Sequence, residues 1–205
     1  MEQDIRQKLA DTIQSYHQRG WSPAASTNYS FRVSSDKQTF FVSRLGTDKS
    51  KFGPYDFVEV DLGGNPTIHF DGSQPSSKRQ IHAAIYEMFP STLFILQSNS
   101  VNSILISEFF EKEITFEGYE IQKAFAGQTK FEDKIHFPIL DNNEDRAVFC
   151  QALRQQQDDL KNHAFIMRKQ GFYAWGETFF EAKMHLEALE YLMDIAVQKL
   201  KIQKI

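Results

Sequence analysis

Sulfur chemistry is almost absent from this chain: its 205 residues include one cysteine, Cys150. A lone thiol cannot close an intrachain disulfide, so a cross-linked scaffold is excluded. Its place beside Phe149 in a helical pattern reads as a small core residue rather than a reactive thiol. No apolar run approaches the ~18 residues that a membrane-spanning helix needs, and residues 1–10 lack the apolar centre of a secretory signal. The expected compartment is therefore the cytoplasm, with no membrane partner. Excess positive charge is missing too. A net charge of −4 and a pI near 5.9 give no general attraction to nucleic acid or anionic lipid. Any anionic ligand must be held by local groups. There is no internal repeat, low-complexity stretch or break in composition, no glycine-rich nucleotide fingerprint and no identifiable Ser/His/Asp triad.

Against these absences stand 19 phenylalanines, whose rings bury large areas in a core or an interface. The chain length suits one well-buried core, and helical and strand-like patterns alternate, so residues 1–205 read as a single α/β domain with a central β-sheet flanked by helices. Ile5, Leu9, Ile13 and Tyr16 share a helix face that Gly20 ends. Strands are expected over Phe31 to Val33, Thr39 to Ser43, Asp56 to Leu62, Leu93 to Leu96, Ala164 to Arg168 and Phe172 to Trp175. Helices are expected over Ser77 to Phe89, from Asn99 or Ser100 onward, over Glu117 to Phe125, and after an Asn143 cap. The last helix opens on a Thr178/Glu181 capping box and carries an apolar stripe of Phe180, Met184, Leu189, Leu192, Met193, Ala196 and Leu200, read as core-facing.

Five stretches carry a resemblance over nearly the whole chain: Gly20-Trp-Ser-Pro-Ala-Ala-Ser-Thr-Asn-Tyr-Ser30, Gly46-Thr-Asp-Lys49, Glu117-Gly-Tyr-Glu-Ile-Gln-Lys-Ala-Phe-Ala-Gly127, Pro138-Ile-Leu-Asp-Asn-Asn143 and Gly171-Phe-Tyr-Ala-Trp-Gly176. Together they resemble the class II aldolase/adducin family, in its methylthioribulose-1-phosphate dehydratase branch. The resemblance implies a cyclic homotetramer with active sites at subunit boundaries. It also implies a zinc-assisted lyase that removes water from a ketose phosphate in methionine salvage, with phosphate held by two polar loops and cations.

Carried over residue by residue, the resemblance asks for a His-x-His pair and a third histidine, and finds Gln97, Asn99 and Gln170. Residues two apart on a strand share a face and can reach one ion, but carboxamide oxygens are weak, hard ligands better suited to calcium or magnesium than to zinc. No cofactor is therefore expected, although the family implies zinc. Lys78 stands where members often carry a glutamate. Its ammonium either fills the vacated cation volume, bonded to some of the three amides, or reaches out to solvent. Glu120 matches the general acid/base. Asn28, Ser30, Gly46, Lys49, Ser76 and Ser77 fit the anion-binding loops, though Thr27 and Leu45 replace a glycine and a serine. The six histidines, His17, His69, His82, His136, His163 and His185, show no metal-ligand spacing along the chain. Three readings follow: a metal-free, catalytically impaired relative that keeps a sugar-phosphate-type pocket; an active lyase using Glu120 with another cation or Lys78; or a structural subunit.

Overall fold

The first helix, α1 (Glu2–Gln18), buries Leu9, Ala10, Ile13 and Tyr16 on one face, as the three- and four-residue spacing requires. Gly20, at φ +77, ends it in the left-handed conformation that glycine adopts without strain. This computed structural model describes residues 2–35, 38–67, 74–125 and 127–203. His69 and Ala126, both in stretches singled out above, lie outside the described residues.

After a short 3-10 turn (Pro23–Ala25) the chain lays down β1 (Ser30–Phe31), β2 (Thr39–Ser43) and β3 (Phe57–Asp61). Then come α2 (Arg79–Met88), β4 (Phe94–Ser98), α3 (Val101–Phe109), β5 (Glu113–Phe116) and β6 (Ile135–Leu140). The chain closes with α4 (Arg146–Gln155), β7 (Ala164–Met167), β8 (Gly171–Gly176) and α5 (Phe179–Ile202). The strands form one sheet in the order β3-β2-β1-β4-β8-β7-β6-β5. Neighbours are antiparallel except the parallel pair β6 and β7.

Strand alternation sends side chains to two cores. Phe31, Phe41, Leu96, Ile166 and Ala174 face α1 and α5. Phe40, Val42, Ile95, Phe165, Tyr173 and Trp175 face α2 and α4. Cys150 is buried in the second core, as its position predicts, and burial pushes its thiol pKa up.

Four local expectations change. β5 and β6 are strands where none is expected from the sequence, and Pro138 sits inside β6 opposite Glu113 of the edge strand. Residues Glu120–Ala124 form a 3-10 turn rather than a longer helix. Asp145, not Asn143, caps α4, its carboxylate accepting from the Ala147 amide, while Asn143 accepts from the Asp145 amide one step earlier. Finally, the predicted α5 stripe faces the core at Leu189, Leu192 and Met193, with Ala196 packed against it, but not at its start: Phe180 is 68% exposed, and Ala182, Leu186 and Val197 complete the buried face. Phe179 takes the inward place instead, its ring 5.6 Å from that of Phe94.

Candidate functional site

The antiparallel pairing of β4 with β8 sets Gln97 opposite Tyr173 and Ser98 opposite Phe172. Because Ile95 faces α2, Gln97 does too, and Asn99 follows it on the same side. Ser98 points the other way, to the α5 side, and donates to the buried Glu190 carboxylate. Burial pushes Glu190 up to about 7, while that hydroxyl partly offsets the shift.

Gln170 lies in the three-residue turn joining β7 to β8. Gly171, next to it, has φ +120, and a Cβ there would stand 2.0 Å from the Ser98 carbonyl oxygen and 2.6 Å from Asn99 Oδ1. Only glycine lets the turn seat so closely on the Gln97–Asn99 segment. The three predicted carboxamide positions are thereby brought to one end of the sheet.

Their bonding is specific. Gln97, fully buried, accepts at Oε1 from the Asn28 backbone amide (2.9 Å) and from Asn28 Nδ2 (3.2 Å). Its Nε2 donates to Asn99 Oδ1 at 2.9 Å. Asn99 Nδ2 in turn donates to Ser26 Oγ at 2.8 Å, which passes a bond to the Pro23 carbonyl. Gln170 Oε1 is buried with no hydrogen-bond partner among the described residues.

Lys78, the residue before α2, follows neither of its two expected placements. It is half-buried, and its ammonium donates to the Ser26 carbonyl at 3.2 Å rather than to any of the three carboxamides. The reason is reach: Ser26 lies between α2 and Asn99, and its backbone oxygen meets the ammonium first. Burial, with the Arg146 charge second, lowers Lys78 to about 8.

The loops expected to hold an anion come together in part. Leu45 N donates to Gln74 O and Ser76 N to Ser43 O, which sets the Gly46 turn against the segment leading to α2. Gly46 takes φ +72, and among the described residues no atom lies within 4 Å of where its Cβ would stand. Ser77 is exposed, and Ser76 is buried with Oγ accepting from the Lys78 amide. Asn28 joins the group through Gln97 and adjoins Tyr29, whose amide donates to Ser43 Oγ.

Two expected members stand elsewhere. Ser30 points into the second core, its hydroxyl bonded to His82 Nδ1 (2.7 Å) and Tyr86 OH (2.9 Å). It occupies a strand whose neighbour Phe31 faces the first core, so alternation turns it toward α2. Lys49 is only 1% exposed. Its ammonium donates to Thr47 O and lies 5.0 Å from the Phe52 ring centre, and burial lowers it to about 8. Thr27, at the expected glycine position, is buried and hydrogen-bonded to the Ser22 hydroxyl.

Against known proteins, residues 7–197 match the model of the class II aldolase and adducin N-terminal domain. The chain belongs to the class II aldolase and adducin family. A methylthioribulose-1-phosphate dehydratase from Picosynechococcus sp. is 44% identical over 202 residues, covering 98% of this chain and 94% of the relative. The enzyme of that name from Xanthomonas campestris pv. campestris strain 8004 is 31% identical over 202 residues, covering 98% and 91%. Among solved structures, an L-fuculose 1-phosphate aldolase superposes with a TM-score of 0.78 at 16% identity, covering 97% of this chain and 87% of that one. At that identity the likeness bears on the fold alone, and it agrees with the sheet-and-helix architecture described above.

Glu120, the candidate acid/base of this class II aldolase-family chain, is not in the carboxamide group. It opens the 3-10 turn, its side chain is 73% exposed, and it pairs with Lys123 at 2.7 Å. It borders a surface depression with Tyr119, Tyr191 and Ile195, on the α5 side of the sheet. Gln97 and Asn99 face the α2 side. Sequence order could not show that separation. A second grouping also escaped the sequence: His163, Glu181 and His185 meet at the other end of β8, where the four-residue spacing of Glu181 and His185 on α5 links two of them and only the fold brings in His163.

Proposed function

We propose that this class II aldolase-family chain keeps a site for a sugar-phosphate-type ligand and lacks the zinc-dependent water elimination of its dehydratase relatives. The observation that carries this reading is the chemistry of the donor set at Gln97, Asn99 and Gln170. Zinc sites are built from imidazole, thiolate and carboxylate. Here three neutral carboxamides stand in their place, and two of them are spent on each other, on Asn28 and on Ser26. Those side chains do not fit zinc. A bound metal contributes several kcal/mol to such a transition state, and each ~1.4 kcal/mol is tenfold in rate. The half-buried ammonium of Lys78 does not replace a divalent charge of that kind.

Retention of an anion site is supported by the open Gly46 turn, the exposed Ser77 and the adjacent Lys78. With Glu120 on the far face of the sheet, a complete site would need a second copy of the chain to supply that carboxylate. Exposed apolar side chains on α3, Val101 (72%), Leu105 (42%) and Phe109 (55%), are consistent with self-assembly, for which the resemblance implies a tetramer. Among the described residues no helix is long and apolar enough to cross a membrane, and the cytoplasm is the compartment we propose.

One observation favours a second reading, an active lyase without zinc. A lysine lowered to about 8 can exchange a proton near neutral pH. Turnover assays on methylthioribulose 1-phosphate separate the two. With added zinc, the first reading expects no turnover but calorimetric binding of the sugar phosphate. Turnover at ordinary enzyme rates refutes it, and turnover abolished by Lys78→Met assigns the activity to the second.

A further inference from the structure

We infer that His163, Glu181 and His185 form a divalent transition-metal site of the zinc type, separate from the carboxamide end of the sheet. One ligand atom from each residue lies within 4.8 Å of the other two. His163 Nδ1 is 3.9 Å from Glu181 Oε1. Tetrahedral zinc with Zn–N near 2.0–2.1 Å sets ligand atoms about 3.3 Å apart, so closure on an ion needs only a small contraction. Two imidazoles and one carboxylate are a ligand set zinc uses with the fourth position left to water.

Three features show the group is held ready rather than met by chance. His185 is fully buried, and its Nδ1 bonds to the Trp175 carbonyl at 2.7 Å. A carbonyl only accepts, so the proton sits on Nδ1 and the lone pair on Nε2, which is buried and has no hydrogen-bond partner among the described residues. That is how metal-binding histidines are oriented by a second hydrogen bond. His163 Nδ1 is likewise buried without a hydrogen-bond partner among the described residues. Its backbone, at φ +54, is in the left-handed region that few non-glycine residues adopt.

Glu181 is placed just as closely. Its amide donates to Thr178 Oγ1 (3.1 Å), and its Oε2 accepts from the Glu177 amide (2.8 Å), which leaves Oε1 toward His163. Gly176 makes room for it: a Cβ there would come within 2.9 Å of Glu181 Cβ and 2.6 Å of the Ala182 nitrogen. Burial lowers the pKa of both histidines, which keeps them neutral and able to ligate. His163 and Glu181 are a fifth to a quarter exposed, giving an ion a way in. Gly171, at the carboxamide end of β8, is five residues from Gly176, about 16 Å along the strand, so this site does not depend on the one proposed above.

Chelator-stripped full-length protein, titrated with Zn²⁺ by calorimetry, should take up one ion per chain with micromolar or tighter affinity. His163→Asn, whose new side chain tolerates positive φ, and Glu181→Gln, which keeps the acceptor for Glu177 N–H, should each weaken binding by more than about 100-fold, beyond what loss of a hydrogen bond that merely orients a ligand costs. Gln170→Ala should leave it unchanged. A Cu²⁺ electron-spin spectrum of the unmutated protein reads ligand identity without any variant, and two coordinated imidazole nitrogens are expected. The proposal is overturned by no uptake, by affinity unmoved in both ligand variants, by loss in Gln170→Ala, or by fewer than two nitrogens.

Discussion

Replacing Gln97 with leucine removes the hub of the carboxamide chain while nearly conserving volume. The Asn28 amide and Asn28 Nδ2 both lose their acceptor, and Asn99 Oδ1 loses its donor. Asn28 is 8% exposed, so water does not readily replace the lost partner, whereas half-buried Asn99 can recover a bond from solvent. An orphaned buried donor costs roughly 1–3 kcal/mol. Two such donors, less the gain from burying an apolar side chain, give a destabilisation of about 2–4 kcal/mol. Urea unfolding should show this as a midpoint lower by roughly 1 M with an unchanged slope. A loss under about 0.5 kcal/mol, the range of ordinary surface substitutions, would refute the claim that Gln97 holds these groups together.

Gly171→Ala should cost more than about 3 kcal/mol, because its Cβ would meet the Ser98 carbonyl at 2.0 Å from a φ of +120; a melting temperature near wild type would contradict the close approach. Glu120→Gln should leave the unfolding free energy within about 0.5 kcal/mol, since the side chain is 73% exposed, while abolishing whatever residual turnover the protein shows. Burial, with the Lys78 charge second, lowers His82 from 6.5 to about 3. The unfolded chain therefore binds a proton between those values that the folded chain refuses. This contribution to stability is fully present above pH 6.5 and is lost as pH falls toward 3, with a slope of at most about 1.4 kcal/mol per pH unit. His82→Gln should flatten this acid limb of a stability-versus-pH series, and an unaltered limb would exclude His82 as its source.

Period and punctuation made much of the fold legible. The three- and four-residue spacing of Leu9, Ile13 and Tyr16 marked α1 and its buried face, and Thr39 to Ser43 was read with the bounds that β2 has. The two-residue spacing of Gln97 and Asn99 put them on one face, and they share a 2.9 Å hydrogen bond. β6 was missed because Pro138 interrupts an otherwise alternating Ile135, Phe137, Ile139. The residue is tolerated because pairing with β7 begins only at Ile139. The start of the α5 stripe differs because Phe179 and Phe180 are equally apolar, and it is Phe179 that packs its ring against Phe94. Where Lys78 and Ser30 point depends on partners far along the chain, Lys78 on Ser26 and Ser30 on His82. The meeting of His163 with His185 is of the same kind: one precedes β7, the other lies in α5, and only the sheet brings them together.

Anomalous diffraction at the zinc edge, from crystals of the protein soaked in zinc, tests the reading of Gln97, Asn99 and Gln170 most directly. The account predicts no zinc peak among those three side chains. A tetrahedral ion bound by their carboxamide oxygens would contradict it.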